Sequence, residues 1–158
     1  MIVKRIESEW FQDYRLPSML VAFPHCSFKC EKENEGCCCQ NSALATAPNI
    51  DVSIDEIVKT YMNDHITSAI IMGGLEPFDS WDDLYSLIKA LREHTNDLVI
   101  IYTGYYPNEV REYVSKLREL NNIVVKWGRF VPYQNKHWDN ILGVKLASDN
   151  QYAERISE

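Results

Sequence analysis

The sequence predicts an α/β fold with the architecture of an incomplete (β/α) barrel of about five to six parallel strands, or an open parallel sheet. Short apolar runs alternate with amphipathic segments, and glycine or proline closes several of the runs. This βαβα alternation favours a parallel sheet with right-handed crossovers. A complete eight-stranded barrel typically needs about 250 residues, and the chain has 158. We therefore expect a partial barrel in a single domain over 1–158.

The first strand and the first long helix are marked by local patterns. The apolar run SMLVAF, 18–23, is ended by Pro24 and leads directly into a cysteine-rich loop. Ser53 and Glu56 have the Ser-x-x-Glu spacing of a capping box, and apolar residues at helical spacing follow them. A helix is therefore predicted over about 53–63.

Three further strand segments follow, with helices between them. The run TSAIIM, 67–72, is closed by two glycines, and Ser80 begins a segment with apolar residues at helical spacing. The next predicted strand is 97–102, and Gly104 follows it. A helix over about 107–119 and the strand 122–127 complete the predicted pattern.

The most distinctive segments of the chain follow the predicted strands. In parallel α/β folds, ligands bind at the carboxyl ends of the strands, where the loops converge. One site is therefore predicted at this rim. It would be formed by the cysteine-rich loop and by the segments GGLEP, TGYY, WGRF and LASDNQ.

Charge and hydropathy restrict the classes of partner. The 16 Lys+Arg residues against 23 Asp+Glu give a net charge of −7, and no basic block is present. A nucleic acid partner is therefore not expected. No apolar run approaches the roughly 20 residues that span a bilayer, and MIVKRIESEW has no signal-peptide pattern. We therefore predict a cytoplasmic protein without membrane association.

All five cysteines lie in the segment CSFKCEKENEGCCCQNS, 26–42. In a reducing cytoplasm, an odd number of crowded cysteines indicates a metal or redox site rather than disulfide bonds. Structural zinc sites usually show two close ligand pairs, or a cysteine pair with two histidines. Here one region supplies all the cysteines, and only His25 is adjacent to one. An iron-sulfur cluster is therefore favoured, and a non-enzymatic zinc-binding module is the alternative.

Two motifs resemble the radical S-adenosylmethionine (SAM) superfamily. They are the C-x3-C pair in CSFKC, 26–30, and the turn GGLEP, 73–77. Within that superfamily, the small size and the segments YTGYY, GRF and ASDNQ resemble the activating-protein family of the anaerobic ribonucleoside-triphosphate reductase. The resemblance implies two cofactors, a 4Fe-4S cluster and SAM. A cluster held by only three cysteines leaves one iron open to a chelating ligand.

The resemblance assigns Cys26 and Cys30 as cluster ligands. The usual superfamily spacing, C-x3-C-x2-C, would place a third cysteine at the position of Glu33. The chain instead carries the inserted segment EKENEG before three consecutive cysteines, 37–39. The third ligand must then be one of these three.

The third cysteine of the activating-protein family is followed at the second position by asparagine. Cys39-Gln40-Asn41 reproduces that feature, so Cys39 is the predicted third ligand. The alternatives are Cys37 and Cys38.

The resemblance also implies a set of SAM-binding residues. In the family, the glycine-rich turn contacts the methionyl ammonium through backbone carbonyls and an acidic side chain. Leu75 interrupts the usual order of this turn, and Glu76 is expected to reach the ammonium. Cys38 occupies the position of the family's adenine-contacting aromatic residue, and Phe28 is predicted to compensate. The complete implied set is Gly73, Gly74, Glu76, Thr103, Asn150 and Phe28.

The implied activity is that of a radical SAM oxidoreductase. The reduced cluster cleaves SAM, and the resulting 5′-deoxyadenosyl radical removes a hydrogen from a glycine of an anaerobic ribonucleotide reductase or another glycyl radical enzyme. The electron would come from an external one-electron donor such as a flavodoxin, because all the cysteines lie in one loop. The enzymatic alternative is a radical SAM reaction on a peptide or small metabolite. Four rim residues are expected either to contact the partner or to pack locally: Tyr105, Tyr106, Trp127 and Arg129.

Overall fold

The computed structural model describes residues 1–36 and 38–158. Within this part of the chain there are ten strands: β1 (Ile2–Val3), β2 (Arg5–Trp10), β3 (Ser18–Phe23), β4 (Ile50–Asp51), β5 (Ala69–Gly74), β6 (Leu98–Tyr102), β7 (Ile123–Trp127), β8 (His137–Asp139), β9 (Val144–Leu146) and β10 (Tyr152–Ser157). The helices are α1 (Lys29–Glu33), α2 (Ser42–Thr46), α3 (Ile54–Asn63), α4 (Trp81–Arg92) and α5 (Arg111–Leu117), with 3-10 turns at Pro77–Ser80 and Pro107–Glu109. None of the helices described is long and apolar enough to cross a membrane.

A six-stranded sheet organises the fold, in the order β10-β7-β6-β5-β3-β2. The central strands β3, β5, β6 and β7 are parallel, whereas the edge strands β2 and β10 are antiparallel to their neighbours. The described residues thus contain four parallel strands, where the sequence predicted five to six. The two remaining strands return without a helical crossover, and such a return produces antiparallel pairing. The partial barrel itself stays a prediction.

Local patterns predicted several elements well. β3 has its predicted bounds, and α3 begins directly after Ser53. The predicted capping box is present, because Ser53 Oγ accepts from Glu56 N at 3.1 Å and Ser53 N donates to Glu56 Oε2 at 3.3 Å. The helix predicted over 107–119 is divided into a 3-10 turn and α5, because Val110 has φ −132° and interrupts the helical backbone.

The two faces of the central sheet pack against different layers. Alternate side chains of each strand point to opposite faces, and both faces are covered, so the central strands are mostly apolar. The helices α3, α4 and α5 contribute to the larger core on one face. On the other face, Tyr14, Leu142 and Leu146 belong to a smaller apolar cluster with side chains of the central strands. Those side chains are Leu20, Ala69, Ile71, Leu98, Ile100 and Val124.

Candidate functional site

A cavity of about 290 Å³ lies at the carboxyl ends of the parallel strands. Its walls come from the cysteine-rich loop and from the segments after β5, β6 and β7. These segments were predicted from the sequence to share one rim. The predicted segment LASDNQ contributes Leu146, Ala147 and Gln151. Two further contributions were not predicted, namely the connection between β2 and β3, and residues 144 and 145.

The cavity brings together the three predicted cluster ligands. Cys26, Cys30 and Cys39 all line it, and Asn41 lies beside them in the same wall. Cys38 is not part of the lining, and its Sγ donates instead to the carbonyl oxygen of Cys30 at 3.3 Å. The alternative ligand Cys37 lies outside the described residues.

The surroundings of the three thiols that line the cavity raise their pKa. Burial raises the pKa of Cys26 to about 11. The pKa of Cys30 is also raised to about 11, first by burial and then by the neighbouring Cys38 and Cys39. Burial likewise raises the pKa of Cys39. Binding of iron by these thiolates must therefore release protons, as metal binding by cysteine generally does.

Asp79 anchors the first part of the cysteine-rich loop to the sheet. Its carboxylate accepts hydrogen bonds from Ser27 N at 2.8 Å and from the Tyr105 hydroxyl at 2.6 Å. Phe28 has a left-handed backbone with φ 53°, and its N–H donates to Cys26 Sγ at 3.2 Å. The position of Cys26 is thus set both within the loop and from the segments after β5 and β6.

Glu76 places a buried carboxyl group in the cavity wall. Its side chain accepts three hydrogen bonds, from Thr103 Oγ1 (2.8 Å), Gly104 N (2.8 Å) and Phe78 N (3.1 Å). Burial raises the pKa of Glu76 to about 7 despite these donors. A carboxylate offers about four acceptor positions, so one further donor can bind to Glu76.

Lys126 provides a cation that the sequence reasoning missed. It lines the cavity, and its residue is 8% exposed. Burial lowers the pKa of Lys126 to about 8, although the carboxyl groups of Glu76 and Asp13 oppose this shift. A lone lysine within the apolar run NIVVKWG was the available signal, because a charged residue inside a buried strand requires a partner or a function.

The glycine pair after β5 divides into two roles. Gly74 lines the cavity and has φ 82°, and a Cβ atom there would lie 2.7 Å from Ala22 Cα. Gly73 does not line the cavity, and a Cβ atom there would meet Leu20 Cδ1 at an ordinary 3.5 Å. Close packing against β3 therefore requires glycine at 74 only.

The other predicted SAM-binding residues are placed differently from one another. Thr103 lines the cavity beside Glu76. Asn150 does not, because its Nδ2 donates to the Tyr106 hydroxyl at 2.8 Å and to the carbonyl oxygen of Arg129 at 2.6 Å. Phe28 does not line the cavity but lies in an adjacent depression, which shares Cys26, Ser27 and Leu75 with it. The structure thus brings Glu76, Thr103 and Gly74 to the cavity, but not Phe28, Asn150 or Gly73.

Two of the four predicted rim residues line the cavity, and Trp127 and Tyr106 do not. Trp127 is fully buried, and its Nε1 donates to Glu154 at 3.0 Å, so it packs in the core. Tyr105 and Arg129 line the cavity. The guanidinium of Arg129 lies over the ring of Tyr106, at 4.7 Å from the ring centroid.

The donor set fits an iron-sulfur cluster. Within residues 1–36 and 38–158, no three His, Cys, Asp or Glu side chains converge as ligands of a single metal ion do. The cysteines of a cubane cluster each bind a different iron, so they surround the cluster rather than meet at one point. Cys26, Cys30 and Cys39 surround one cavity, and thiolate sulfur is the ligand that such clusters take.

Comparison with known proteins gives a consistent result. A family model described as a 4Fe-4S single cluster domain matches residues 18–152. The match begins at the first residue of β3, ends at the first residue of β10 and includes all five cysteines. No curated protein and no solved structure matches the chain.

Proposed function

Because the chain belongs to the 4Fe-4S single cluster domain family, we propose that it is a radical SAM activase. It would cleave SAM reductively and generate a glycyl radical on an anaerobic ribonucleotide reductase or another glycyl radical enzyme. The observation that carries this proposal is the single cavity that Cys26, Cys30 and Cys39 share with the buried charged residues Glu76 and Lys126.

The protein's own groups match the polar end of SAM. When bound, a 4Fe-4S cluster with three thiolate ligands supplies an open iron for the amino and carboxylate groups of SAM, and one electron for its sulfonium. Glu76 has one acceptor position left for an N–H of the SAM amino group, and Lys126 offers an ammonium to the SAM carboxylate. Both side chains are buried, so these interactions would act in a low dielectric.

The size of the cavity supports a macromolecular substrate. Pockets for small ligands usually have volumes of about 300–1,000 Å³, and this cavity is about 290 Å³. The proposed cluster and SAM would share this cavity, which leaves little room for an organic substrate beside them. The hydrogen donor would then be a segment of another protein that docks at the rim. We further propose a cytoplasmic location and an external one-electron donor such as a flavodoxin.

The first test concerns the cofactors. The protein is reconstituted anaerobically with iron and sulfide, reduced, and examined by low-temperature electron paramagnetic resonance with and without SAM. We expect a 4Fe-4S signal that changes when SAM is added. A cluster indifferent to SAM, or a colourless protein with one zinc ion per chain, would contradict the proposal.

The second test concerns the substrate. A candidate anaerobic reductase is co-expressed with this chain, and its spectrum is examined for a stable glycyl radical. We expect the radical only when the activase, reductant and SAM are all present. SAM cleavage without a glycyl radical would instead favour a peptide or small-metabolite substrate.

A further inference from the structure

Arg129 connects the cysteine-rich loop to the rim of the cavity through hydrogen bonds. Its Nε donates to Glu33 Oε2 at 2.8 Å, and its Nη1 donates to Glu109 Oε2 at 2.7 Å and to the carbonyl oxygen of Gly104 at 3.1 Å. The Arg129 side chain is 11% exposed. Because the guanidinium is planar, its donors have fixed directions, and one side chain can set the relative positions of several acceptors.

Glu33 is the last residue of α1, the helix that carries Cys30. The next residue, Asn34, donates through Nδ2 to the carbonyl oxygen of Cys30 at 2.7 Å and makes a longer 3.5 Å contact with that of Phe130. At the other end of α1, Lys29 Nζ lies 3.4 Å from Glu109 Oε1. Polar contacts at both ends of α1 thus reach the part of the rim that carries Arg129.

Polar contacts hold α1 in place. The helix has five residues and none of them is buried. Isolated helices shorter than about 12 residues are marginal in water, and this one contributes no buried side chain to the core. Its position therefore depends on the contacts with residues 109, 129 and 130, on the hydrogen bond from Cys38 Sγ to the Cys30 carbonyl, and on Lys29 Nζ, which lies 4.6 Å from the ring centroid of Tyr105. We call Arg129 with its two carboxylate partners, Glu33 and Glu109, the Arg129 clamp.

Position 33 lies three residues beyond Cys30, yet Glu33 does not line the cavity. Its side chain is 53% exposed and turns to Arg129. After this contact the chain continues through the inserted segment to Cys39, which does line the cavity. The ion pair between Arg129 and Glu33 therefore holds the loop at residue 33, which lies between Cys30 and Cys39 in the sequence.

We propose that Arg129 is a positioning residue for the iron-sulfur cluster. By holding Glu33, Arg129 places the thiols of Cys30 and Cys39 around the cavity before the cluster binds. A site that is already formed does not have to order its loop at the moment of binding. Apparent affinity falls in proportion to the fraction of molecules in the competent conformation. The inference rests on the cluster of the proposed function and is independent of SAM cleavage.

The test compares Arg129→Gln and Glu33→Gln with a matched control, Glu35→Gln. Glu35 belongs to the same inserted segment, and its carboxylate makes no hydrogen bond or ion pair with the described residues. Each protein is reconstituted anaerobically, and the iron that it keeps is measured against rising concentrations of a chelator. If the clamp variants hold the loop in the competent conformation about a tenth of the time, their apparent affinity for iron falls about tenfold relative to wild type and Glu35→Gln.

A second measurement uses the protein before the cluster is added. Trypsin cleaves after lysine, and both Lys29 and Lys32 lie in α1. We expect faster cleavage at these sites in Arg129→Gln than in wild type, with an unchanged thermal unfolding midpoint. Glu33→Gln is left out of this measurement because it alters the residue next to a cleavage site.

The outcomes separate this inference from the proposed function. If both clamp variants bind iron with the wild-type affinity and Arg129→Gln resists trypsin as wild type does, the inference is overturned, even when wild type cleaves SAM. If the spectrum of the wild-type cluster does not respond to SAM but the clamp variants bind iron more weakly than wild type, the proposed function fails and the clamp stands. A wild-type chain that takes up no iron overturns both.

Discussion

The Thr103 hydroxyl donates a 2.8 Å hydrogen bond to Oε1 of Glu76. The same hydroxyl accepts a hydrogen bond from Tyr105 N at 2.9 Å, so one side chain links the turn after β5 to the turn after β6. Both turns line the cavity. This link fixes the carboxyl group of Glu76 at the place proposed for the amino group of SAM. The protonation of the Glu76 carboxyl group can be measured.

The first prediction is a pH dependence caused by Glu76. Burial raises its pKa to about 7 from the ordinary value of 4.5, so the folded protein binds a proton that the unfolded chain has lost between these two values. The contribution of Glu76 to stability is therefore fully present below pH 4.5 and is lost as the pH rises through about 7. The free energy of unfolding that is lost over this range is on the order of a few kcal/mol.

This dependence is measured as a difference, because other groups titrate in the same range. The free energy of unfolding of the cluster-free protein is determined by urea titration from acidic to neutral pH, for wild type and for Glu76→Gln. We expect the value for wild type, minus that for the variant, to fall as the pH rises. A flat difference would show that the pKa of Glu76 is the same in the folded and unfolded states, and a rising difference would show that folding lowers it; either result would contradict the prediction.

Much of the parallel core could be predicted because its signals are local. The run that forms β3 and the capping box of Ser53 can each be identified from a few neighbouring residues. The edge strands β2 and β10 escaped prediction because RIESEW and YAERIS are charged and only partly buried. Their strand conformation comes from pairing with β3 and β7, and such long-range pairing leaves little trace in the local sequence.

The candidate site shows the same division. A motif was enough to predict Cys26 and Cys30, and both line the cavity, whereas the positions of Asn150 and Glu33 depend on distant partners. Asn150 donates to the Arg129 carbonyl, 21 residues away, and Glu33 pairs with Arg129 across 96 residues. Which side chains face a cavity is decided by such contacts, and spacing along the chain does not reveal them.

The second prediction distinguishes two neighbouring cysteines. Cys39→Ser should lose most of its iron on anaerobic reconstitution, because Cys39 lines the cavity. Cys38→Ser should retain it, because the Cys38 thiol is directed to the Cys30 carbonyl instead, and serine can make the same hydrogen bond. Iron and sulfide per chain are measured for both variants. The reverse order of iron retention would make Cys38 the ligand.

The third prediction uses the glycine pair after β5. Gly74→Ala should lower the free energy of unfolding by about 2 kcal/mol or more, because residue 74 has φ 82° and a Cβ atom would lie 2.7 Å from Ala22 Cα. Gly73→Ala is the matched control, since its Cβ atom meets neighbours only at 3.5 Å and beyond. Both are compared with wild type by chemical denaturation. Equal losses in the two variants would contradict the close approach at Gly74.

The last prediction concerns Lys126, whose charge is proposed to bind the carboxylate of SAM. Lys126→Met keeps most of the side-chain volume and removes the ammonium, so affinity for SAM should fall by about 10- to 100-fold, as expected for the loss of a hydrogen bond to a charged group. Lys145→Met is the matched control, because Lys145 also lines the cavity but is exposed, and exposed charges contribute little.

Binding is measured by calorimetry on the reconstituted, cluster-loaded proteins, after circular dichroism has shown equal folding. If both variants bind SAM like wild type, the cation of this cavity does not recognise the carboxylate. If Lys145→Met alone is weakened, recognition lies at the mouth of the cavity rather than beside Glu76.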